Sequence, residues 1–367
     1  MELNADIRKK LGSFSLDMQF CASRRRTGIL GVSGCGKSMT LKAIAGIIEP
    51  DEGRIELNGR VLYDSQKGIN IPAQKRNVGY LFQNYALFPN LTVQQNIACG
   101  LKYWKRGNRE SSREKTQEMI ELFGLQGLEN HLPRQLSGGQ QQRTALARIL
   151  VCQPEVILLD EPFSALDSYL KDRLQDDLML YLNDYDGLIL MVSHSRDELY
   201  RFADELIVMG DGCTLVQGTP EEVFRNPGTK GAAMLTGCKN FSAARRISDH
   251  ELSAEDWGVT LHTSYVLPES FTGIGFRAHD FIPVYGQREE NCIPCRLIRE
   301  TDLPFEKNYY IAPDRTPGSE SEEESSGTDA EHSLLWRVQR DGQTLIREKG
   351  MPDYLRFPEE ALLFLNS

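Results

Sequence analysis

The sequence predicts an α/β protein: a largely parallel sheet, wrapped by helices and interrupted by a helical stretch, followed by a small β-rich domain. Three observations lead there. Apolar strand-like runs alternate with helical stripes from Phe14 to about Arg225. A glycine-rich turn, Gly31 to Ser38, falls between one such run and one such stripe. Beyond about Cys238 the texture changes to short runs separated by turn residues, as in a small barrel or sandwich.

Taken in order, Phe14, Leu16, Met18 and Phe20 alternate with polar residues, the period of a half-buried strand. Arg24-Arg25-Arg26 reads as an exposed turn before a second strand, Thr27–Leu30. Leu41, Ile44, Ala45 and Ile48 then fall at helical spacing and stop at Glu49-Pro50. Arg54–Leu57, Asn58-Gly59 and Arg60–Tyr63 make a hairpin, because Asn-Gly suits a type I′ turn. Val78–Phe82 is the next strand. Roughly 91–150 reads as mostly helical, with Met119, Ile120, Leu122 and Phe123 on one face.

The alternation resumes with strand Val156–Asp160 and a helix through Leu170, Leu174, Leu178 and Leu182. Strand Leu188–Ser193, helix Arg196–Ala203 and strand Glu205–Met209 follow. A short helix near Glu221–Arg225 precedes Asn226-Pro227-Gly228, a natural boundary. Later strand-like runs are Val259–Val266, Gly273–Arg277, Ile293–Ile298, Tyr309–Ala312 and Leu334–Val338. The expected division is therefore 1–235 and 236–367, with an acidic, disordered insertion at about 316–332.

Composition narrows the function. The 367 residues are enough for two domains, and 40% hydrophobic with 26% charged residues describes a globular protein. A net charge of −10 counts against nonspecific binding of nucleic acid or anionic lipid. No apolar run approaches the roughly 18–20 residues that cross a bilayer, and the start shows no signal peptide. The expectation is a cytoplasmic protein whose membrane role, if any, comes through partners. Among eight cysteines only Cys292 and Cys295 have metal or redox spacing, with no second pair. Reduced thiols packed as small apolar residues are expected.

The chemistry rests on two separated motifs. Gly31-x4-Gly36-Lys37-Ser38 lies between strand and helix, the context of a phosphate loop. Glycines let the backbone N–H groups of Ser33, Gly34, Cys35, Gly36 and Lys37 turn toward a phosphate, and the helix N-terminus adds a favourable dipole. Lys37 would neutralise β/γ oxygens, while the Ser38 hydroxyl would coordinate Mg²⁺. Val156-Ile-Leu-Leu-Asp160-Glu161 is an apolar strand ending in two acids. Asp160 would sit near Mg²⁺ and Glu161 would orient an attacking water.

With these motifs the stretch 1–235 resembles the ATP-binding cassette (ABC) ATPases, phosphate-loop NTPases with a helical subdomain, here at about 91–150. The resemblance implies ATP and Mg²⁺ as cofactors. Gln83 matches the glutamine loop that contacts Mg²⁺ and faces the transmembrane partner. Ser137, Gly138, Gly139 and Gln140 match the signature that clamps the γ-phosphate of an opposing chain. Ser164-Ala165-Leu166-Asp167 matches the loop at the dimer interface, and His194 the switch histidine near the γ-phosphate. Phe14 either stacks on adenine or packs as an ordinary strand residue. Met39 stands where the family commonly has Thr or Ser.

One phosphate loop and one signature per chain resemble importer ATPases, which form homodimers beneath separate permease subunits. Pro89–Asn96 after Gln83 resembles the importer pattern. Gly273–His279 and Leu355–Phe364 resemble the C-terminal barrel-like (OB/TOBE-like) domain of such ATPases, and with Thr236–Phe241 the likeness is to the molybdate/sulfate subfamily. The resemblance therefore implies a peripheral subunit on the cytoplasmic face of the membrane, energising molybdate uptake. Permease subunits and an extracytoplasmic binding protein would be its partners, without nucleic acid. Sulfate or thiosulfate, polyamine and ferric iron are the alternative cargoes. An ABC ATPase acting on nucleic acid or ribosomes would resemble tandem cassettes or cassettes with long coiled coils, which this sequence does not.

Overall fold

Four adjacent parallel strands position everything that follows. The computed structural model describes residues 1–102, 109–164, 168–313 and 333–366; the expected acidic insertion and Asp167 lie outside them. The described chain forms two compact units, Met1–Pro220 and Glu221–Ser367.

In the first unit the elements are β1 (Leu3–Leu11), β2 (Phe14–Ala22), β3 (Arg26–Leu30), α1 (Lys37–Ala45), β4 (Glu52–Leu57), β5 (Arg60–Asp64) and β6 (Ile69–Asn70). Then come β7 (Val78–Leu81), α2 (Val93–Lys102), α3 (Arg109–Leu122), α4 (Gly138–Leu150), β8 (Val156–Asp160) and α5 (Ser168–Tyr181). The unit closes with β9 (Leu188–Ser193), α6 (Arg196–Phe202), β10 (Glu205–Gly210) and β11 (Cys213–Gly218). The strands form one eleven-stranded sheet, ordered β6-β5-β4-β1-β2-β11-β10-β3-β9-β8-β7. Its β10-β3-β9-β8-β7 half is parallel throughout. Every residue of β8 and β9 is buried, as expected of parallel strands covered on both faces. The β6-β5-β4-β1-β2 half is antiparallel.

Three local expectations need correction. The first strand is β1, not Phe14–Phe20: Leu3, Ala5 and Ile7 are buried and alternate with polar residues, but the charged run from Arg8 to Lys10 masks the pattern. Leu122 is half exposed while Ile120 and Phe123 are buried. With Thr116 they make the i, i+4, i+7 stripe of α3, and Leu122 points off it. Arg26 is not part of an exposed turn. It opens β3 and pairs with Asp204 at 2.6 Å, while Arg25 donates to the carbonyls of Leu182 (2.8 Å) and Tyr185 (3.0 Å). The β4–β5 turn agrees with its Asn-Gly sequence, since Asn58 and Gly59 both have positive φ, 50° and 78°.

Arg76 anchors the helix that follows the glycine-rich turn. It is fully buried and donates to the carbonyls of Ala43, Ile44 and Ile71, at 2.7–2.8 Å, and to Asn70 Oδ1. Two of these carbonyls belong to the last turn of α1, where oxygens lack helical partners. Burial pulls the guanidinium pKa below its ordinary value. Gly46 ends α1 at φ 74°, and a Cβ there would lie 2.6 Å from Arg76 Nε.

The second unit starts earlier than 236, because α7 (Pro220–Arg225) and α8 (Lys230–Leu235) lie at its border. Arg277 donates to the carbonyls of Phe224 and Thr236 and ties both helices to the following sheets. β12 (Asn240–Arg246), β13 (Glu251–Ala254), β14 (Val259–His262), β15 (Gly273–Phe276), β16 (Ile282–Val284), β17 (Cys292–Pro294), β18 (Leu297–Asp302), β19 (Glu306–Ile311) and β20 (Leu334–Gln339) follow. Last come α9 (Arg340–Lys349), β21 (Tyr354–Arg356) and β22 (Leu363–Leu365). Three antiparallel sheets, β14-β13-β12-β15-β22, β16-β21-β17 and β18-β19-β20, share one core that includes Trp257, Phe276, Trp336 and Phe357. The run Ile293–Ile298 is thus two strands in two sheets, broken by Cys295 and Arg296.

None of the eight cysteines is joined in a disulfide. Burial pushes the Cys238 thiol up to about 11 and that of Cys295 to about 12, so neither is a ready nucleophile. Cys213 departs from the packed-thiol expectation, standing exposed at the tip of the β10–β11 hairpin.

Replacing Arg76 with Met keeps the volume but removes the donors to the carbonyls of Ala43, Ile44 and Ile71, of which only Ala43 O retains another, the Gly46 N–H. Arg76→Met should lower the unfolding free energy of the first unit by roughly 3 kcal/mol, read as an earlier urea midpoint. A midpoint unchanged from the parent would remove Arg76 from this role.

Candidate nucleotide site

Strand register puts the sequence motifs in one row. Leu30 of β3 lies opposite Ser193 of β9, Val192 opposite Asp160 of β8, and Leu159 opposite Leu81 of β7. Gly31, His194, Glu161 and Gln83 therefore emerge together at the carboxyl ends of adjacent parallel strands, where open α/β sheets carry their ligands.

The glycine-rich turn closes on the N-terminus of α1 through Gly36, at φ 107°. A Cβ there would come within 2.7 Å of Leu16 and 3.1 Å of Phe14, so only glycine fits. Lys37 is 4% exposed, and its Nζ donates to the carbonyls of Gly31 (2.8 Å) and Val32 (2.9 Å) and stands 3.7 Å from Glu161 Oε1. Ser38 Oγ donates to Asp160 Oδ1 at 2.6 Å. Glu161 has φ 45°, a left-handed conformation that a non-glycine residue adopts at a cost of about 1 kcal/mol or more. Its N–H donates to Val192 O, and its own carbonyl accepts from the N–H and hydroxyl of Ser164. His194 Nδ1 lies 3.4 Å from Glu161 Oε2, on a ring about half exposed.

A cavity of about 560 Å³ opens over this row. Ser33, Gly34, Gly36, Lys37, Ser38, Met39, Gln83 and Glu161 line it, so most of the expected phosphate and Mg²⁺ residues come together. Asp160 lies behind Ser38, and His194 beside Glu161. Gly31 is at the turn's start, and Cys35 is buried beneath it with its thiol pushed up by burial. Phe14 does not line the cavity: it packs against Gly36 and the sheet core. Lys9, Leu11, Lys42 and Ile48 line the wall instead. Lys9 and Leu11 come from the end of β1, and Lys42 and Ile48 from α1 and the segment after it.

Ser137 to Gln140 do not reach the cavity. They open α4 with a reciprocal cap, Gln140 N–H donating to Ser137 Oγ (3.3 Å) and Ser137 N–H to Gln140 Oε1 (2.9 Å). Ser137 and Gly138 are exposed, while Gly139 and Gln140 are half-buried. Asp167 lies outside the described residues.

Two supporting residues had no sequence signal. Tyr80 donates to Asp160 Oδ2 at 2.7 Å, so both Asp160 oxygens are held. Burial, then this bond, drives the phenol pKa far up. Arg148 of α4 donates to the carbonyls of Tyr85 (3.0 Å) and Ala86 (2.8 Å), whose φ angles of 60° and 42° strain the loop after Gln83. Neither pairing is local in sequence.

A buried cation beside the N-terminus of a helix is an arrangement that can cradle a polyphosphate. A hydroxyl, a carboxylate and an amide oxygen beside it are hard donors. Comparison with known proteins agrees. The family model described as ABC transporter matches residues 16–164. A sulfate/thiosulfate import ATP-binding protein of Chromobacterium violaceum is 39% identical over 265 residues, 71% of this chain and 70% of that protein. The chain belongs to the ABC transporter ATP-binding proteins of the import type. A molybdenum import ATP-binding protein of Paramagnetospirillum magneticum is 38% identical over 228 residues, covering 62% of each chain; the match thus spans under two thirds of that relative. Relatives named for molybdate/tungstate and for Fe(3+) import are each 41% identical. Among solved structures, the dimeric post-hydrolysis ATP-binding cassette MJ0796, bound to ADP and Pi, superposes with a TM-score of 0.51 at 29% identity. It covers 60% of this chain and 99% of that one.

The Tyr80–Asp160 bond is open to a double-mutant cycle. Tyr80→Phe alone should cost about 1–2 kcal/mol of unfolding free energy. Combined with Asp160→Asn it should cost clearly less than the sum of the single losses, measured by denaturant unfolding. Additive losses would mean that the two side chains do not act on one another.

Proposed function

We propose that this chain is the ATP-hydrolysing subunit of an ABC importer. The observation that carries the reading is the single row of Lys37, Ser38, Asp160, Glu161 and His194 around one cavity, with the capped start of α4 standing outside it. The cradle takes the triphosphate, and Lys37, already desolvated, offsets charge on its β and γ oxygens. Ser38, Asp160 and Gln83 would hold Mg²⁺, whose charge supplies electrostatic stabilisation of the transferring phosphoryl group. Glu161 orients a water and accepts its proton, and His194 beside it contacts the γ-phosphate. Phosphoryl transfer asks mainly for such positioning.

Ser137 to Gln140 offer capped helix N–H groups to the γ-phosphate bound by a second copy, with Asp167 at the same junction. The working unit is then a head-to-tail homodimer, closed by ATP because ATP binds the closed form better. No helix among the described residues is long and apolar enough to cross a membrane. Attachment to the cytoplasmic face is therefore through permease subunits, fed by an extracytoplasmic binding protein; nucleic acid has no part in it. The cargo is an oxyanion, with molybdate preferred. The basis is the set of relatives, among which import proteins for molybdate and for sulfate recur beside those for iron. The second unit is a dimerisation and regulatory module.

Glu161→Gln removes the proton acceptor while keeping the shape. It should reduce ATP turnover by about 100-fold or more and accumulate an ATP-bound dimer in size-exclusion chromatography. Parental turnover in that variant would overturn the role of Glu161. In vesicles holding the complete transporter, labelled molybdate should enter in an ATP-dependent manner and compete with tungstate better than with sulfate. Uptake of sulfate in preference would replace the cargo, and indifference to all three would discard the oxyanion reading.

A further inference from the structure

A buried carboxylate outside the cavity lies behind the turn that carries His194, the exposed neighbour of Glu161. Glu198, in α6, is only 6% exposed. Its Oε2 accepts the Ser193 hydroxyl at 2.6 Å, and its Oε1 pairs with Lys171 Nζ of α5. Its carbonyl accepts from Gln175 Nε2, also in α5, at 3.1 Å. Its N–H donates to Ser195 Oγ at 3.4 Å, and Ser195 N–H donates to Ser193 Oγ at 3.0 Å. Both neighbours of His194 are therefore fastened to one residue, while the His194 ring itself faces the Glu161 carboxylate at 3.4 Å.

The opposite end of this arrangement returns to Glu161. Glu161 and Ser164 precede α5 in the chain, and Ser164 is hydrogen-bonded back to the Glu161 carbonyl. Lys171 and Gln175 lie on the first two turns of α5. Glu161, which also faces Lys37 Nζ at 3.7 Å, and His194, 3.4 Å from it, thus stand on two segments that close into a ring through Glu198 and Lys171.

We propose that Glu198 is a positioning residue: clamped by Lys171, it sets the place of His194 relative to Glu161. With Glu198 buried and Lys171 only partly so, the pair recovers little more than its desolvation cost as stability alone. Here it fixes one backbone turn against one helix, and a misplacement near 1 Å at a reacting group costs about two orders of magnitude in rate. The inference rests on the ATPase reading above, and its test separates the two.

Three variants interrupt the ring. Glu198→Gln keeps an acceptor for Ser193 but loses the charge facing Lys171; Lys171→Met removes the opposite partner. Ser193→Ala cuts the link to the histidine turn without leaving a buried charge unpaired, so it folds even if Lys171→Met does not. Each should lower kcat for ATP about tenfold with KM within about twofold. The double variant Glu198→Gln, Lys171→Met should fall no further than either single one. In a His194→Ala background none of the three should lower the residual rate again. Independently of turnover, the His194 ring resonance in protein carrying ¹³C-labelled histidine should shift in all three variants. Parental kcat in Glu198→Gln and Ser193→Ala overturns the proposal. So does a tenfold fall that persists without His194, or a His194 resonance that stays in place. A parent chain with no ATP turnover while the resonance shifts as expected would overturn the ATPase reading and leave the positioning role standing.

Discussion

The parallel pairing of β7, β8, β9 and β3 is the constraint on which the site depends. Its register aligns Leu81 with Leu159, Asp160 with Val192, and Ser193 with Leu30. A one-residue slip in any of these pairs would turn a strand's side chains to the opposite face. It would also withdraw Gln83, Glu161, His194 or Gly31 from the common edge. The pairing is protected by burial: β8 and β9 contribute residues that are wholly enclosed, so a shifted register would expose apolar area or bury acids. At about 25 cal/mol per Å² the loss of even one such strand from water-free packing outweighs any single polar contact in the site. Chemistry at the edge is thus held by packing behind it.

The same frame explains where strain is tolerated. Glu161 takes its left-handed φ one residue past the end of β8, anchored by Val192 on one side and Ser164 on the other. Tyr85 and Ala86 take theirs where Arg148 grips two consecutive carbonyls. In both places the surrounding hydrogen bonds over-determine the backbone, which is the condition for storing such strain. Both fall beside residues assigned a role in the cavity, Glu161 itself and Gln83.

Legibility followed chain distance. The glycine-rich turn, the acids after β8 and the histidine after β9 are local patterns, each a strand end plus one or two residues, and the structure gathers them as their order implies. Asn58-Gly59 carried its turn in its own φ preferences. β1 is hidden in the sequence because three consecutive basic residues follow its alternating half, and with it Lys9 and Leu11, which line the cavity that Phe14 does not. Tyr80, Arg148 and Glu198 act on partners that neither propensity nor periodicity brings together. Tyr80 and Asp160 are 80 positions apart, Arg148 and Tyr85 are 63; the β7–β8 pairing makes the first two neighbours, and the placing of α4 beside the loop after β7 the second two. Glu198 sits close to Ser193 in sequence, yet its meaning comes from Lys171 on a different helix.

Burial then divides the site into two parts with different mechanical character. Lys37 and Asp160 are about 5% exposed or less and fully engaged by hydrogen bonds, so their geometry is set before any nucleotide arrives. That is preorganisation, and it spares reorganisation at the moment of reaction. Gln83, His194 and Ser137 are exposed. A group in water gains little from its charge or dipole until something excludes that water. On the proposed reading the excluding surface belongs to a second copy, and the exposed residues are those whose contribution waits for it. A turn that must stay exposed yet return to one position needs fastening from behind, and for His194 that fastening is what the buried Glu198 carboxylate provides.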